Sequence, residues 1–360
     1  MEHPHKFRIL YQITVIFLFL SFLTGSVLKG QDVKNEISGY IYDKTTGQPL
    51  ENVEVYIANT TRGMSTDKDG FFIIKNVPQG MHELVVSIIG YEYISKTVWV
   101  KQGDRLELTF RLNPVIYETE PTEVVGKVPR DWLDNLDIFK YYFFGQSDLV
   151  RQCEIENEEV LDFVWTSPHY LTARAQQPLH IINNALGLKI ECMLVYFFWD
   201  KKHRKWSWSI KPKFTFLDST DSSQIDLWKK NRIKVNYGSM YHFLYTLLQR
   251  RLQDEGYNVY FVDNAGVRVY GLEYRFISTE YDTLIKPGKI PKEYILSFKK
   301  YLYVVDKESR FSWVNLNYPE ITLDEYGYPQ EINALEVYGY WAGQGVADLL
   351  PRYEEFFDHP

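Results

Sequence analysis

Residues 65–80 read STDKDGFFIIKNVPQG, and the Asp67-Lys68-Asp69-Gly70 run inside them admits two readings. Two aspartates one residue apart, followed by glycine, can open a calcium loop or close a turn between strands. An EF-hand loop needs oxygen ligands at its fifth and twelfth positions and a helix on each side. Phe71 stands at the fifth position and Pro78 at the twelfth. The calcium reading fails, and Asp67, Asp69 and Gly70 are expected to be turn residues. Aspartate there accepts local backbone hydrogen bonds and glycine supplies positive φ. NVPQG repeats the turn chemistry one strand later.

Outward from this turn, residues 37–112 alternate apolar and polar in short runs. Val53, Val55 and Ile57 share a face, as the period of two demands of a half-buried strand. In RLELTFRL, Leu106, Leu108, Phe110 and Leu112 fall on one side, with Arg105, Glu107, Thr109 and Arg111 on the other. About seven such runs separated by turn residues describe a small antiparallel β-sandwich.

The ordered set G-x-(I/V)-x-D, TGQPL, V-x-V, T-D-x-D-G-x-F, P-x-G-x-x-x-L and closing GY, running from Gly39 to Tyr91, resembles the carboxypeptidase regulatory-like domain. That resemblance implies a seven-stranded prealbumin-like (carbohydrate-binding-like) sandwich that is non-catalytic. It also implies fusion to exported enzymes or outer-membrane receptors of the Bacteroidetes type. PTEVVGK, residues 121–127, is similar to the segment preceding the plug of TonB-dependent receptors. The remaining residues are too few for a plug and a 22-stranded barrel at about 10 residues per strand.

Of the 360 residues, 45% are hydrophobic and 16% aromatic, an excess of rings that suits sheet surfaces. The net charge of −7 argues against generic nucleic-acid binding, which needs clustered positive potential. Lys6 and Arg8 precede the apolar run ITVIFLFLSFL at residues 13–23, and small residues follow. This is the pattern of a signal peptide over residues 1–30, too short for a span of roughly 20 residues. The expected mature chain starts between Val27 and Gln31, exported to the periplasm or outer membrane and peripheral to membrane at most. It then divides into the sandwich at 31–112, a linker or extended edge strand at 113–129 and a mixed α+β domain at 130–360.

In that last region, DWLDNLDIFKYYFFG reads as a helix capped by Asp131, with Leu133, Leu136 and Phe139 at helical spacing. LKIECMLVYFFWD, apolar on both parities, reads as a central strand. In KWSWSIKPKFTF, Trp206, Trp208, Ile210, Phe214 and Phe216 share one face, and Lys205, Ser207, Ser209, Lys211 and Lys213 the other. Pro212 demotes this strand to an edge or a bulge. The basic-aromatic pattern invites a glycan or nucleic-acid platform, but regular alternation places the indoles inside. Ser239 is expected to cap a helix striped by Met240, Phe243, Leu244, Leu247, Leu248 and Leu252 and ended by Gly256, with His242 packed beside it. A short helix stopped by Pro351 closes the pattern. The segments FFGQSDLVRQCEIENEEVLDF and GYWAGQGVADLLPRYE resemble the C-terminal part of a Bacteroidetes family of exported proteins, which brings no mechanism with it.

No catalytic, cofactor or metal signature emerges. The histidines do not give the H-x-x-E or H-E-x-x-H spacing of zinc peptidases, and G-x-S-x-G is absent. Cys153 and Cys192 are either a disulfide, as an oxidising compartment allows, or two buried thiols. A carboxylate pair such as Glu158 and Glu159 could serve a glycan hydrolase, but 47 acidic residues leave the pair unchosen. The expectation is a non-catalytic envelope protein acting by binding or assembly, its partner an envelope glycan or outer-membrane protein. The alternative is an exported glycan hydrolase with its site in residues 130–360. A deep pocket with converging carboxylates would separate the two.

Overall fold

The computed structural model of the protein describes residues 35–115, 130–267, 281–331 and 333–352. The apolar run at 13–23 and linker residues 116–129 lie outside them. The first seven strands are β1 (Glu36–Asp43), β2 (Glu54–Ile57), β3 (Gly63–Ser65), β4 (Phe71–Lys75), β5 (Gly80–Ser87), β6 (Ile94–Val100) and β7 (Arg105–Leu112). They form two sheets, ordered β4-β1-β7 and β3-β2-β5-β6. Ile37, Ile41, Val55, Ile57, Phe72, Leu84, Val86 and Leu112 are fully buried between them, the sandwich that the alternation predicts. Pairing is antiparallel except for β1 with β7. Parallel neighbours need a long crossover, and here the rest of the module intervenes between them. Gly39 allows their close approach, since a Cβ there would lie 1.9 Å from the Leu108 carbonyl oxygen.

The two ends of the sequence signature meet in space. Asp43 closes β1 by accepting the amides of Thr45 and Thr46, each at 2.7 Å, and the Tyr91 hydroxyl at 2.7 Å. The Thr46 amide first, then the Tyr91 hydroxyl, hold its carboxyl below the usual aspartate range. Linker residues Asn113 and Val115 remain bonded to Glu92 and Gly90.

The next region opens with α1 (Arg130–Phe144), then β8 (Cys153–Ile155), β9 (Leu161–Ser167), β10 (Tyr170–Ala175), β11 (Leu179–Asn183), β12 (Leu188–Asp200) and β13 (Lys205–Phe216). β12 is the central strand that its composition predicts. Its first half pairs with β11 and its second with β10, while β13 runs along its other side. Leu136, Phe139 and Phe143 of α1 enter one core with Leu179, Ile190, Phe197 and Phe214. Asp131 is not the cap, because the helix already includes Arg130; its carboxylate sits in the first turn, where negative charge faces the positive helix end. Leu133 is exposed rather than buried.

Then follow α2 (Ser222–Asn236), α3 (Met240–Leu248), β14 (Asn258–Val262), α4 (Tyr281–Leu284), β15 (Ile285–Pro287), β16 (Glu293–Leu296), β17 (Tyr301–Val305), β18 (Phe311–Leu316), β19 (Ile321–Asp324) and β20 (Leu335–Gly339). These strands build two antiparallel sheets, β14-β17-β18-β20 and β15-β16-β19. Ser239 caps α3 as expected, accepting the His242 amide at 3.0 Å. The helix nevertheless ends at Leu248, before Gly256. Arg250 takes positive φ, and the amides of Arg250 and Arg251 return to the carbonyls of Leu247 and Thr246. That is a Schellman stop built without glycine. Leu252 is buried in the same core although it lies beyond the helix. The expected last helix is a single 3-10 turn at Val346–Asp348, after which Leu349 is extended.

Candidate binding cleft

Strand β13 positions everything that follows. The Asn59 amide donates to the Pro212 carbonyl at 2.7 Å, and the Phe214 amide donates to the Thr60 carbonyl at 2.9 Å. Even-numbered residues of β13 therefore turn their main-chain groups away from β12, and odd-numbered ones toward it. Pro212 occupies an even position, so its missing N–H costs the ladder nothing. Of the edge or bulge that this proline allowed, β13 is an edge of its sheet, covered at Pro212 by Asn59 and Thr60 of the sandwich. By the same parity Trp206 and Trp208 direct their N–H and C=O groups outward.

The face of β13 that carries Lys211 and Lys213 is a contact with the sandwich. Lys211 and Lys213 reach Glu83 and Glu54 at 2.6 Å each, with both ammonium chains largely buried. Burial works against ionised Glu54, but the Lys213 and Ser65 hydrogen bonds and the Lys213 charge outweigh it, leaving its pKa lowered. Tyr56 is 5% exposed and donates its hydroxyl to the Lys211 carbonyl at 2.8 Å. Met193 packs against Tyr56, Ala58 and Val85. Nothing in the local alternation distinguishes a lysine covered by another sheet from one in water.

Arg352 joins the sandwich to β19. Its amide donates to the Asn59 carbonyl at 2.8 Å, its guanidinium to the Met81 carbonyl at 3.3 Å, and it ion-pairs with Asp324. Nearby His82 is 3% exposed, with Nε2 2.8 Å from the Pro78 carbonyl. Burial first, then the Arg352 charge, hold it neutral with a pKa of about 4.

Beyond the segment covered by Asn59 and Thr60, β13 borders an open cleft of about 500 Å³ whose other wall is β20. Trp206, Trp208, Tyr338 and Phe198 supply its rings, and Asn317, Asn333 and Gln344 its amides. An adjoining cavity of about 170 Å³ shares Trp208, Val337 and Trp341 and extends to Tyr241 and Tyr328. The indoles are neither buried nor free. Trp206 contacts Tyr142 at 5.0 Å and Trp208 contacts Phe143 at 5.5 Å between ring centroids, so the core holds them in place while they line the cleft. Trp341 is fixed by its indole N–H on the Gly238 carbonyl at 2.8 Å. The Lys205 ammonium and Glu336 carboxylate approach to 3.8 Å, and the Tyr196 hydroxyl bonds Asn333.

Two carboxylates belong to these cavities, one in each. Glu336 lines the larger one and accepts the Tyr338 hydroxyl at 2.6 Å. Asp348 lines the smaller one, where burial raises its pKa against the Gly345 amide. Glu158 and Glu159 lie elsewhere, in a 3-10 turn where Glu158 pairs with Lys140. Cys153 and Cys192 are free thiols. Along β11, Cys192 stands opposite Leu179 and Cys153 opposite Asn183, too far apart for a disulfide. Burial pushes the Cys153 thiol up to about 12 and Cys192 higher still.

Asp67 closes the turn between β3 and β4, accepting the amides of Asp69 and Phe71 at 3.0 and 2.9 Å. No group of three or more metal-ligating side chains occurs among the described residues. No helix among them is long and apolar enough to cross a membrane. The basic-aromatic pattern of β13 was a signal for one wall of the cleft, set aside because alternation places the indoles inside; nothing pointed to the other wall, because β20 lies more than a hundred residues away in a separate sheet.

Residues 37–124 match the model of the family described as CarboxypepD_reg-like domain. Human carboxypeptidase D is 34% identical over 93 residues, covering 25% of this chain and 7% of that protein. The mouse protein is 32% identical over 92 residues, with the same coverage. The chain thus spans only a small part of the curated relatives it matches. A cohesin–X-dockerin complex from Acetivibrio cellulolyticus aligns at 28% identity over 21% of this chain and 52% of that one, with a TM-score of 0.19. A protein of unknown function from Bacteroides fragilis aligns at 18% identity over 45% and 65%, also at 0.19. At such scores neither carries a structural argument. The part of the chain that matches this family model includes the N-terminal sandwich.

Proposed function

We propose that the protein is a non-catalytic binding protein of the cell envelope, exported and retained at the periplasm or outer membrane. The regulatory-like domain serves as a mount, and the cleft between β13 and β20 is the ligand site. One observation carries this reading: the cleft offers rigidly backed rings and amides, while its larger cavity holds a single carboxylate already engaged by Tyr338. Its volume is that of a ligand site. A glycan hydrolase would need a second carboxyl across the bond, at about 5–9 Å, and the other candidate, Asp348, lines the adjoining cavity.

The test is a screen of the purified chain against envelope glycans and peptides, with both binding and product followed. Binding without turnover, weakened about tenfold or more by Trp208→Ala, is the expected result. Turnover abolished by Glu336→Gln would replace the binding reading with the hydrolase.

A further inference from the structure

The walls of the cleft are two strand edges. On β20 the Tyr340 amide donates to the Phe311 carbonyl, and the Ala334 carbonyl accepts the Asn317 amide. Even-numbered residues there face β18. Leu335 and Val337 therefore turn their N–H and C=O groups away from their own sheet, toward the cleft that they line. Trp206 and Trp208 do the same from β13. Each edge repeats a donor and an acceptor every second residue, about 6.6 Å, and half-buried main-chain groups require partners.

Resting on the binding reading above, we infer that the ligand is an extended polypeptide segment, added as a strand between the edges of β13 and β20. A polypeptide carries the same two-residue repeat of donors and acceptors on both of its sides, which is how strand addition gains affinity. A glycan has no such repeat. Charge selects the segment further. Lys201, Lys202 and Arg204, at the exposed hairpin tip beside the cleft, have no ion pair among the described residues. Asp200 is already taken by His203 at 2.6 Å. This local positive charge stands out in a chain of net −7, so the partner segment is acidic at the end that meets the tip. An incoming carboxylate also competes with Glu336 for Lys205 across the mouth.

The probes are short synthetic peptides alternating valine and threonine, with two glutamates at one end or the other. Each is prepared unmodified and N-methylated at alternate amides, and titrated against the full chain by tryptophan emission. The unmodified acidic peptides should bind, with affinity lowered by salt and weakened about tenfold or more by N-methylation in either register, since alternate amides serve opposite edges. Val337→Pro should weaken binding similarly, because it removes an outward N–H and leaves the β18 ladder intact; circular dichroism checks its fold. N-methylation does not touch the protein, so that arm stands even if the variant misfolds. No peptide binding, or binding indifferent to N-methylation, overturns the inference. Glycan binding in place of peptide would overturn it and leave the non-catalytic reading standing, whereas turnover would remove both.

Discussion

Asp67 and Gly70 show how much one turn can hold. The Asp67 side chain accepts two amides, and its main chain exchanges bonds with Gly70 and Phe71. The arrangement recurs at Asp324, which accepts the amides of Tyr326 and Tyr328, and at Asp306, which accepts those of Glu308 and Arg310. The residue three places on has positive φ each time: Gly70, Gly327 and Ser309. Asp and Gly chemistry marked the first turn in the sequence, whereas the other two are recognised by their hydrogen bonds. At Gly70 space matters as well, since a Cβ would lie 2.5 Å from the Ile41 carbonyl oxygen. Gly70→Val should destabilise by about 2 kcal/mol or more in denaturant titration. Calcium and chelator should leave the wild-type melting temperature unchanged, and a calcium-dependent rise would restore the loop reading.

At the scale of the element, α3 shows composition being right about a face and wrong about an end. Phe243, Leu244 and Leu247 are buried as the stripe requires, but the stop at Arg250 is invisible without glycine as its mark. The helix also buries His242 at 4% exposure, with Nδ1 2.9 Å from the Tyr257 hydroxyl. Burial first, then the charges of Lys307 and Arg251, lower its pKa from 6.5 to about 4. The 3.9 Å approach of Glu255 is too long to reverse this. The unfolded chain takes up a proton below pH 6.5 that the folded chain refuses until about pH 4. Folding stability should therefore fall as pH drops through that window, by on the order of 2–3 kcal/mol from this histidine. His82 adds to the slope with the same sign. Denaturation measured from pH 7 to 4 should show a shallower loss in His242→Gln than in the wild type. Equal slopes would mean that His242 is protonated in the fold.

For the whole molecule, Arg352 ties the sandwich to the sheet that contains β19. Arg352 joins Asn59 and Met81 of the sandwich to Asp324, and both charged side chains are about 90% buried. Arg352→Met leaves a buried carboxylate without its partner, which costs about 3–5 kcal/mol. A calorimetric scan should show a lower melting temperature. If the transition is unchanged, the clasp contributes nothing to the assembled fold.

The sandwich was legible because its determinants are local. Alternation decides which side chains enter the core, and Asp-Gly chemistry closes each turn whatever lies elsewhere. The edge position of β13 was legible for the same reason, since a proline's missing donor is a property of one residue. The parallel β1–β7 pair, the burial of Lys211 and Lys213 and the separation of the two cysteines were not, because each depends on which strand lies alongside. The cleft was least legible of all. Leu335 and Val337 read as ordinary strand residues and the platform pattern at Trp206 and Trp208 was set aside; the four become a site only where the edges of two sheets face each other across the cleft. A sequence determines which residues can pair; only the packing of distant segments decides which pairing groups are left open.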